Sequence, residues 1–143
     1  MDIRQLSDTF FAAPQITPDN VIELVNHGFT QIICNRPDAE NPPELASETF
    51  AKLAQKHGIA FVMNAIPMGG MSMDIINTQK DHANTGKTLA YCASGTRSAV
   101  AWAFAQAGKF TVDDILQRLV NAGYPMESLR PQLEAMADQE GGP

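Results

Sequence analysis

Lys87-Thr-Leu-Ala-Tyr-Cys92-Ala-Ser-Gly-Thr-Arg97-Ser98, running on into Ala99-Val-Ala-Trp-Ala-Phe104, is the stretch around which the chain is organised. An apolar run of β-forming residues ends at Cys92, passes through a glycine-containing turn and enters an alanine-rich run at Arg97. This pattern predicts a strand, a tight loop and a helix. Such a junction is an anion cradle. The free backbone N–H groups of a helix start point into the loop, and the helix dipole adds roughly half a positive charge there. Gly95 lets the backbone curl, so that Ala93, Ser94, Gly95 and Thr96 form a ring of amides around a bound substrate. Arg97 offers a planar fork for an oxyanion, and Ser98 a hydroxyl beside it.

The same field acts on Cys92. A free thiol with a pKa of about 8.5 is mostly protonated at neutral pH, whereas helix N-termini and cations bring it to about 3.5–7.5. Cys92 is therefore the candidate nucleophile, with Ser98 expected to tune its thiolate. The plain alternative is a buried cysteine at a strand end before an ordinary turn.

Cys92-Ala-Ser-Gly-Thr-Arg97-Ser98, together with Phe11-Ala-Ala-Pro14-Gln15 and Ile32-Ile-Cys-Asn35-Arg36-Pro37-Asp38, resembles the bacterial beta-lactamase hydrolase-like, phosphatase-like domain family over about residues 3–135. That resemblance implies a fold similar to dual-specificity protein phosphatases and an activity either phosphatase-like or sulfur-transferring. It also implies a small anionic or persulfide substrate, a thiol acceptor and a partner oxidoreductase of sulfide metabolism.

Loop length separates the two reactions. Tyrosine-type phosphatases place five residues between nucleophile and arginine, whereas four stand between Cys92 and Arg97, as in the shorter ring of rhodanese-like sulfur transferases. A smaller ring suits a terminal persulfide sulfur better than a tetrahedral phosphoryl group. Loops of the rhodanese-like and resembled families often carry a further arginine just after the cysteine, where this chain has Ala93. A phosphatase also wants a general acid, usually an aspartate in the loop after the preceding strand. Here that loop runs from Pro67 to Met73 without a carboxylate, and Asp74 falls in the first turn of the next predicted helix. Persulfide transfer needs no such acid, because a low-pKa thiolate leaves unaided. The chain thus reads first as a cysteine-dependent sulfur transferase carrying a persulfide on Cys92. A phosphatase acting through a phosphocysteine is the alternative, and a cradle that only binds an anion or a partner is a third class. None of these calls for a metal or an organic cofactor.

Composition sets the bounds. With 143 residues, 44% hydrophobic and 18% charged, one α/β domain over residues 1–143 with a single good core is expected. A net charge of −6 argues against nucleic acid or an anionic membrane as the main partner. Two cysteines make no disulfide scaffold, residues 1–4 show no apolar core of a signal peptide, and no run approaches a membrane span. A cytoplasmic location is expected.

In chain order, residues 6–13 predict an opening strand ended by Pro14. Thr17-Pro18 starts a helix carrying Val21, Ile22, Leu24 and Val25, closed by His27-Gly28. Residues 29–35 predict a parallel strand, 36–43 a polar loop, 44–57 a helix closed by Gly58, and 59–66 another strand. Ser72 caps a helix reaching to residue 84, before the strand that ends in Cys92. Beyond the cradle helix, Thr111 opens a helix burying Val112, Ile115, Leu116 and Leu119. A last helix covers 125–137 with Pro131 expected to break or bend it, and residues 140–143 form a frayed end. Alternating strands and helices predict a parallel-type sheet flanked by helices, with Cys34, Ile66 and Cys92 on the rim where ligands bind.

Other residues on that rim carry open readings. Cys34 is either a resolving cysteine for Cys92 or a small core residue. Arg36 and Asp38 either orient substrate, orient one another or form a surface loop pair. His27 and His57 sit in helix last turns, where imidazole suits exposed carbonyls, and His82 stands in no motif. Met68, Met71 and Met73 have the spacing of a soft-donor Cu(I) site, or else fill apolar gaps or belong to a mobile lid.

Overall fold

Five strands form one sheet in the order β1-β2-β5-β3-β4, with β5 (Thr88–Tyr91), the strand that leads into Cys92, in the middle. The computed structural model describes residues 1–139, so the expected frayed end at 140–143 lies outside the described residues. β2 (Phe10–Ala13) and β3 (Gln31–Cys34) flank β5 in parallel, and β4 (Ala60–Met63) pairs with β3, also in parallel. The shared register brings Ala13, Cys34, Met63 and Tyr91 level with one another. All four following loops therefore leave from one rim.

Side chains alternate across the sheet with the period of two that a strand imposes. Ile32, Cys34, Leu89 and Tyr91 face one side, where Val21 and Leu24 of α1 (Pro18–Asn26) and Phe50 and Ala54 of α2 (Ser47–His57) cover them. Phe10, Ala12, Ile33 and Ala90 face the other side. There they meet α4 (Thr96–Ala105), α5 (Val112–Asn121) and α6 (Arg130–Gln139). α3 (Met73–His82) packs alongside α4. Ala99 and Ala103 of α4 let the helix lie close to the sheet, and Trp102 fills the remaining space with a fully buried indole. Six of the ten residues of α4 are buried, so the helix that starts at the cradle is also the spine of that core.

The structure departs from expectation in several places. The opening segment is not one strand but a hairpin, with β1 (Arg4–Gln5) pairing antiparallel to β2. Its turn is made by Ser7, whose hydroxyl accepts from the N–H groups of Thr9 and Phe10. The second helix starts at Ser47 rather than 44, because Pro42 and Pro43 hold a short 3₁₀ turn, Pro43–Leu45, ahead of it. The last helix begins at Arg130 after a 3₁₀ turn, Glu127–Leu129. Pro131 consequently sits in the first turn of α6, where no intrahelical N–H is needed, and breaks nothing. The caps expected at Ser72 and Thr111 form, each hydroxyl accepting from the N–H three residues on.

Beneath the rim lies a buried polar knot. Asn35 donates from its amide to Asn64 O and Gln79 Oε1, each at 2.9 Å, and Asn64 Nδ2 donates to the same Gln79 oxygen at 2.8 Å. Gln79 Nε2 and Ser98 Oγ both donate to Asn35 Oδ1, at 3.0 and 2.8 Å. The loops after β3 and β4 are thereby tied to α3 and α4 by side-chain amides whose hydrogen-bonding capacity is almost fully used. Removing one member strands the others in a dry interior, at roughly 1–3 kcal/mol for each unsatisfied group. Gln79→Met, which keeps the volume, is expected to lower stability by about 3 kcal/mol in urea unfolding. A loss below about 1 kcal/mol would mean that water re-satisfies the knot.

Candidate active site

Gly95 ends the cradle loop at φ +91°, a left-handed backbone that glycine adopts without strain, and serves as N-cap of α4. Its N–H donates to Cys92 Sγ at 3.1 Å, so the loop amide meets the sulfur as the sequence suggests. The loop is pinned from β2 by Cys92 N–H to Ala13 O at 3.4 Å and by Gln15 N–H to Ala93 O at 3.2 Å. Ser94 and Thr96 close it further, Ser94 Oγ donating to Thr96 Oγ1 and accepting from Thr96 N–H. Ala93, Ser94 and Thr96 are exposed on the outer side, whereas Cys92 and Gly95 are buried.

Arg97 is held by an acid that sequence reasoning passed over. Glu40 takes its guanidinium end-on, Nη1 donating to Oε2 at 2.9 Å and Nη2 to Oε1 at 2.8 Å, while Nη1 also donates to Ile66 O at 2.6 Å. A guanidinium has five N–H groups. With three spent on Glu40 and Ile66, the Nε–H and the second N–H of Nη2 remain, and these two share one edge with the spacing that an oxyanion accepts in pairs; the guanidinium also interacts with the Cys92 side chain, which after Glu40 helps to hold its pKa up. Glu40 thus aims the arginine without blocking it. Its carboxyl is held below the usual glutamate value, chiefly by the hydrogen bonds from Arg97, so Glu40 stays an anion and is no proton donor at neutral pH.

Several expected site residues do other work. Ser98 is buried and gives its hydroxyl proton to Asn35 Oδ1, not to Cys92, so it anchors the loop to the polar knot instead of tuning the thiolate. Asp38 is turned away from the cradle. Its carboxylate accepts from the N–H and hydroxyl of Ser47, at 2.8 and 2.6 Å, capping the start of α2, and these bonds lower its pKa. Arg36 stays at the rim but points into the cluster, donating to Gln15 Oε1 at 3.1 Å and Glu40 O at 3.0 Å, with Nε 3.5 Å from Glu40 Oε1. Cys34 is fully buried, its Sγ donating to Arg36 O at 3.4 Å, and burial pushes its thiol up, which fits the core-residue alternative. His27 caps α1, with Nδ1 2.7 Å from Glu23 O.

The loop after β4 reaches the site through Ile66, and Asp74 lies exposed in the first turn of α3 as expected. Met68 and Met71, with Ile66, Pro67 and Val100, line an apolar cavity of about 160 Å³ against Arg97 and Thr96. Met71 is half-buried there, whereas Met68 and Met73 are exposed. Among the described residues, no group of three or more His, Cys, Asp or Glu comes together that could hold a metal ion.

Two substitutions test this geometry. A Cβ at Gly95 would run into the Tyr124 hydroxyl and stand 3.2 Å from the Ala13 carbonyl carbon. Gly95→Ala is therefore expected to displace the loop and cost at least about 100-fold in kcat/KM; near-normal turnover would show a loose ring. Glu40→Gln is expected to lower kcat/KM by a similar factor, because Arg97 loses its aim. Since Glu40 has a depressed pKa, its contribution to stability is fully present above the ordinary value of about 4.3 and is lost as the pH falls through the folded value. The stability gap between wild type and Glu40→Gln should therefore hold from about pH 7 to 5 and close below about pH 4. A gap that widened on acidification would contradict the clamp.

The chain is 29% identical over 121 residues to the beta-lactamase hydrolase-like protein of Xylella fastidiosa strain Temecula1, a match covering 80% of this chain and 28% of that protein. It thus spans little more than a quarter of that relative's length. A candidate phosphatase from Neisseria meningitidis Z2491 superposes with a TM-score of 0.81 at 26% identity, covering 95% of this chain and 99% of that one. The core catalytic domain of the PP-IP phosphatase SIW14 from S. cerevisiae superposes at 0.64 with 11% identity, over 99% and 93% of the two chains, which bears on the fold alone. The fold is that of the dual-specificity and tyrosine phosphatases. No described helix is long and apolar enough to cross a membrane. The pattern for the phosphatase-like domain of the beta-lactamase hydrolase-like proteins matches residues 2–109, and the chain belongs to that family.

Proposed function

We propose that this chain is a cysteine-dependent phosphatase-like hydrolase. Cys92 attacks the phosphorus of a small phosphate ester, the loop amides and the free edge of Arg97 hold the equatorial oxygens, and water then hydrolyses the phosphocysteine. The observation that carries this reading is the Glu40 clamp, which leaves two N–H groups of Arg97 on one edge beside a loop whose amide already donates to the sulfur. Such preorganised donors stabilise charge as it develops and need no rearrangement at the moment of reaction. The family and fold relationships support placing hydrolysis ahead of the sulfur transfer that the sequence ranks first.

Sulfur transfer is kept as a second reading because of one specific feature, the four-residue ring between Cys92 and Arg97. In that case Cys92 takes the outer sulfur of an anionic donor and passes it to a thiol acceptor. A location in the cytoplasm and a partner oxidoreductase of sulfide metabolism belong to the same proposal.

One pair of measurements decides. Wild type is expected to turn over a generic aryl phosphate, and Cys92→Ser to abolish that turnover. Arg97→Ala should act mainly by weakening the transition state, lowering kcat/KM by about 100-fold or more. Incubation with thiosulfate or glutathione persulfide should leave Cys92 unlabelled in mass spectra. A persulfide on Cys92 that a thiol removes, without aryl phosphate hydrolysis, would put sulfur transfer first.

A further inference from the structure

The loop that supplies an acid in phosphatases of this architecture is apolar here. Residues 67–73 contain no carboxylate, and Asp74 is exposed on α3, outside the set of residues that line the cavity beside Arg97. The acid that does reach the arginine, Glu40, is locked in an end-on pair. What lies beside Arg97 and Thr96 instead is the cavity of about 160 Å³ walled by Ile66, Pro67, Met68, Met71 and Val100. Met68 is 79% exposed at its mouth. A space of that size holds one aromatic ring, and it adjoins Arg97 and Thr96, so a group seated in it stays connected to an anion in the cradle.

Building on the hydrolase reading, we infer that the substrates are phosphate monoesters whose leaving group is compact, apolar and weakly basic, of the aryl type. The chemistry then balances without a proton donor. The Cys92 thiolate forms the S–P bond as the P–O ester bond breaks, and the electron pair departs on an aryloxide that solvent protonates. Water next attacks phosphorus, the S–P bond breaks, inorganic phosphate leaves, and the thiolate is restored with the water proton passing to solvent. An alkoxide would have to leave unprotonated in the same step. That is where a general acid normally contributes about 10²–10⁴-fold.

The test is a leaving-group series on the whole chain, using 4-nitrophenyl, phenyl and ethyl phosphate. kcat/KM is expected to fall steeply along it, by about a thousandfold or more from first to last. Ethyl phosphate within tenfold of 4-nitrophenyl phosphate would reveal a working acid and overturn the inference. Acetyl phosphate, which has a good leaving group but no ring, isolates the cavity. The double variant Met71→Gln, Val100→Thr keeps the wall roughly in shape while making it polar, and should lower the preference for 4-nitrophenyl over acetyl phosphate by about tenfold. An unchanged preference would remove the cavity from substrate recognition. If neither compound is turned over and no phosphoryl adduct forms on Cys92, the hydrolase reading itself falls, and the inference with it.

Discussion

Arg97 carries a fixed positive charge into a half-buried corner, and a guanidinium there must have its charge balanced and its donors spent in the right directions. Glu40 meets the first need and, with the carbonyl of Ile66, part of the second. The consequence reaches well past one ion pair. Arg97 belongs to the start of α4, Glu40 to the loop after β3 and Ile66 to the loop after β4, so one guanidinium ties three segments that are far apart in sequence. Arg36 then joins the cluster through Glu40 and, through Gln15, links it to the loop after β2. The four loops of the rim are thus cross-braced at charged and main-chain atoms, above a sheet whose register had already brought them level.

Below that brace, the Asn35, Asn64, Gln79 and Ser98 knot does the complementary job. An apolar core under the loops would pack as well but would fix their heights less sharply, since dispersion contacts have little directionality. Side-chain amides that serve one another at 2.8–3.0 Å hold the loop backbones to a narrow geometry. A nucleophile and an arginine arriving from opposite ends of a short loop need this, because small displacements of reacting groups are costly in rate.

How much of this was legible in the sequence depends on the range of the interaction. The strand, loop and helix around Cys92 are local, and so are the caps at Ser72 and Thr111; propensity and spacing were enough for each. The rim itself was legible too, because parallel strands in an α/β sheet send their following loops to one side. Glu40 was not. It sits in a polar loop near Asp38 and Glu44, and nothing local says which of three acids faces an arginine 57 residues away. Arg97's need for a counter-charge was the available signal, but it did not point to a position. Ser98 failed for a related reason: adjacency to the cradle suggested contact with Cys92, while its place on a buried helix turned it toward Asn35. Pro131 was misread because a helix boundary moved, and the same residue in a first turn is harmless.

The two tethers on Arg97 differ in kind, and this difference bears on how such a domain can diversify. Glu40 holds the arginine with a side chain, so any other residue there surrenders the aim. Ile66 holds it with a main-chain oxygen, which every amino acid possesses. Residues 67–71 can therefore be rewritten, to admit a different leaving group or to bring in a carboxylate, while the anion cradle keeps its shape. The fold separates the part that must stay constant from the part that is free to drift, and it does so at the level of individual atoms.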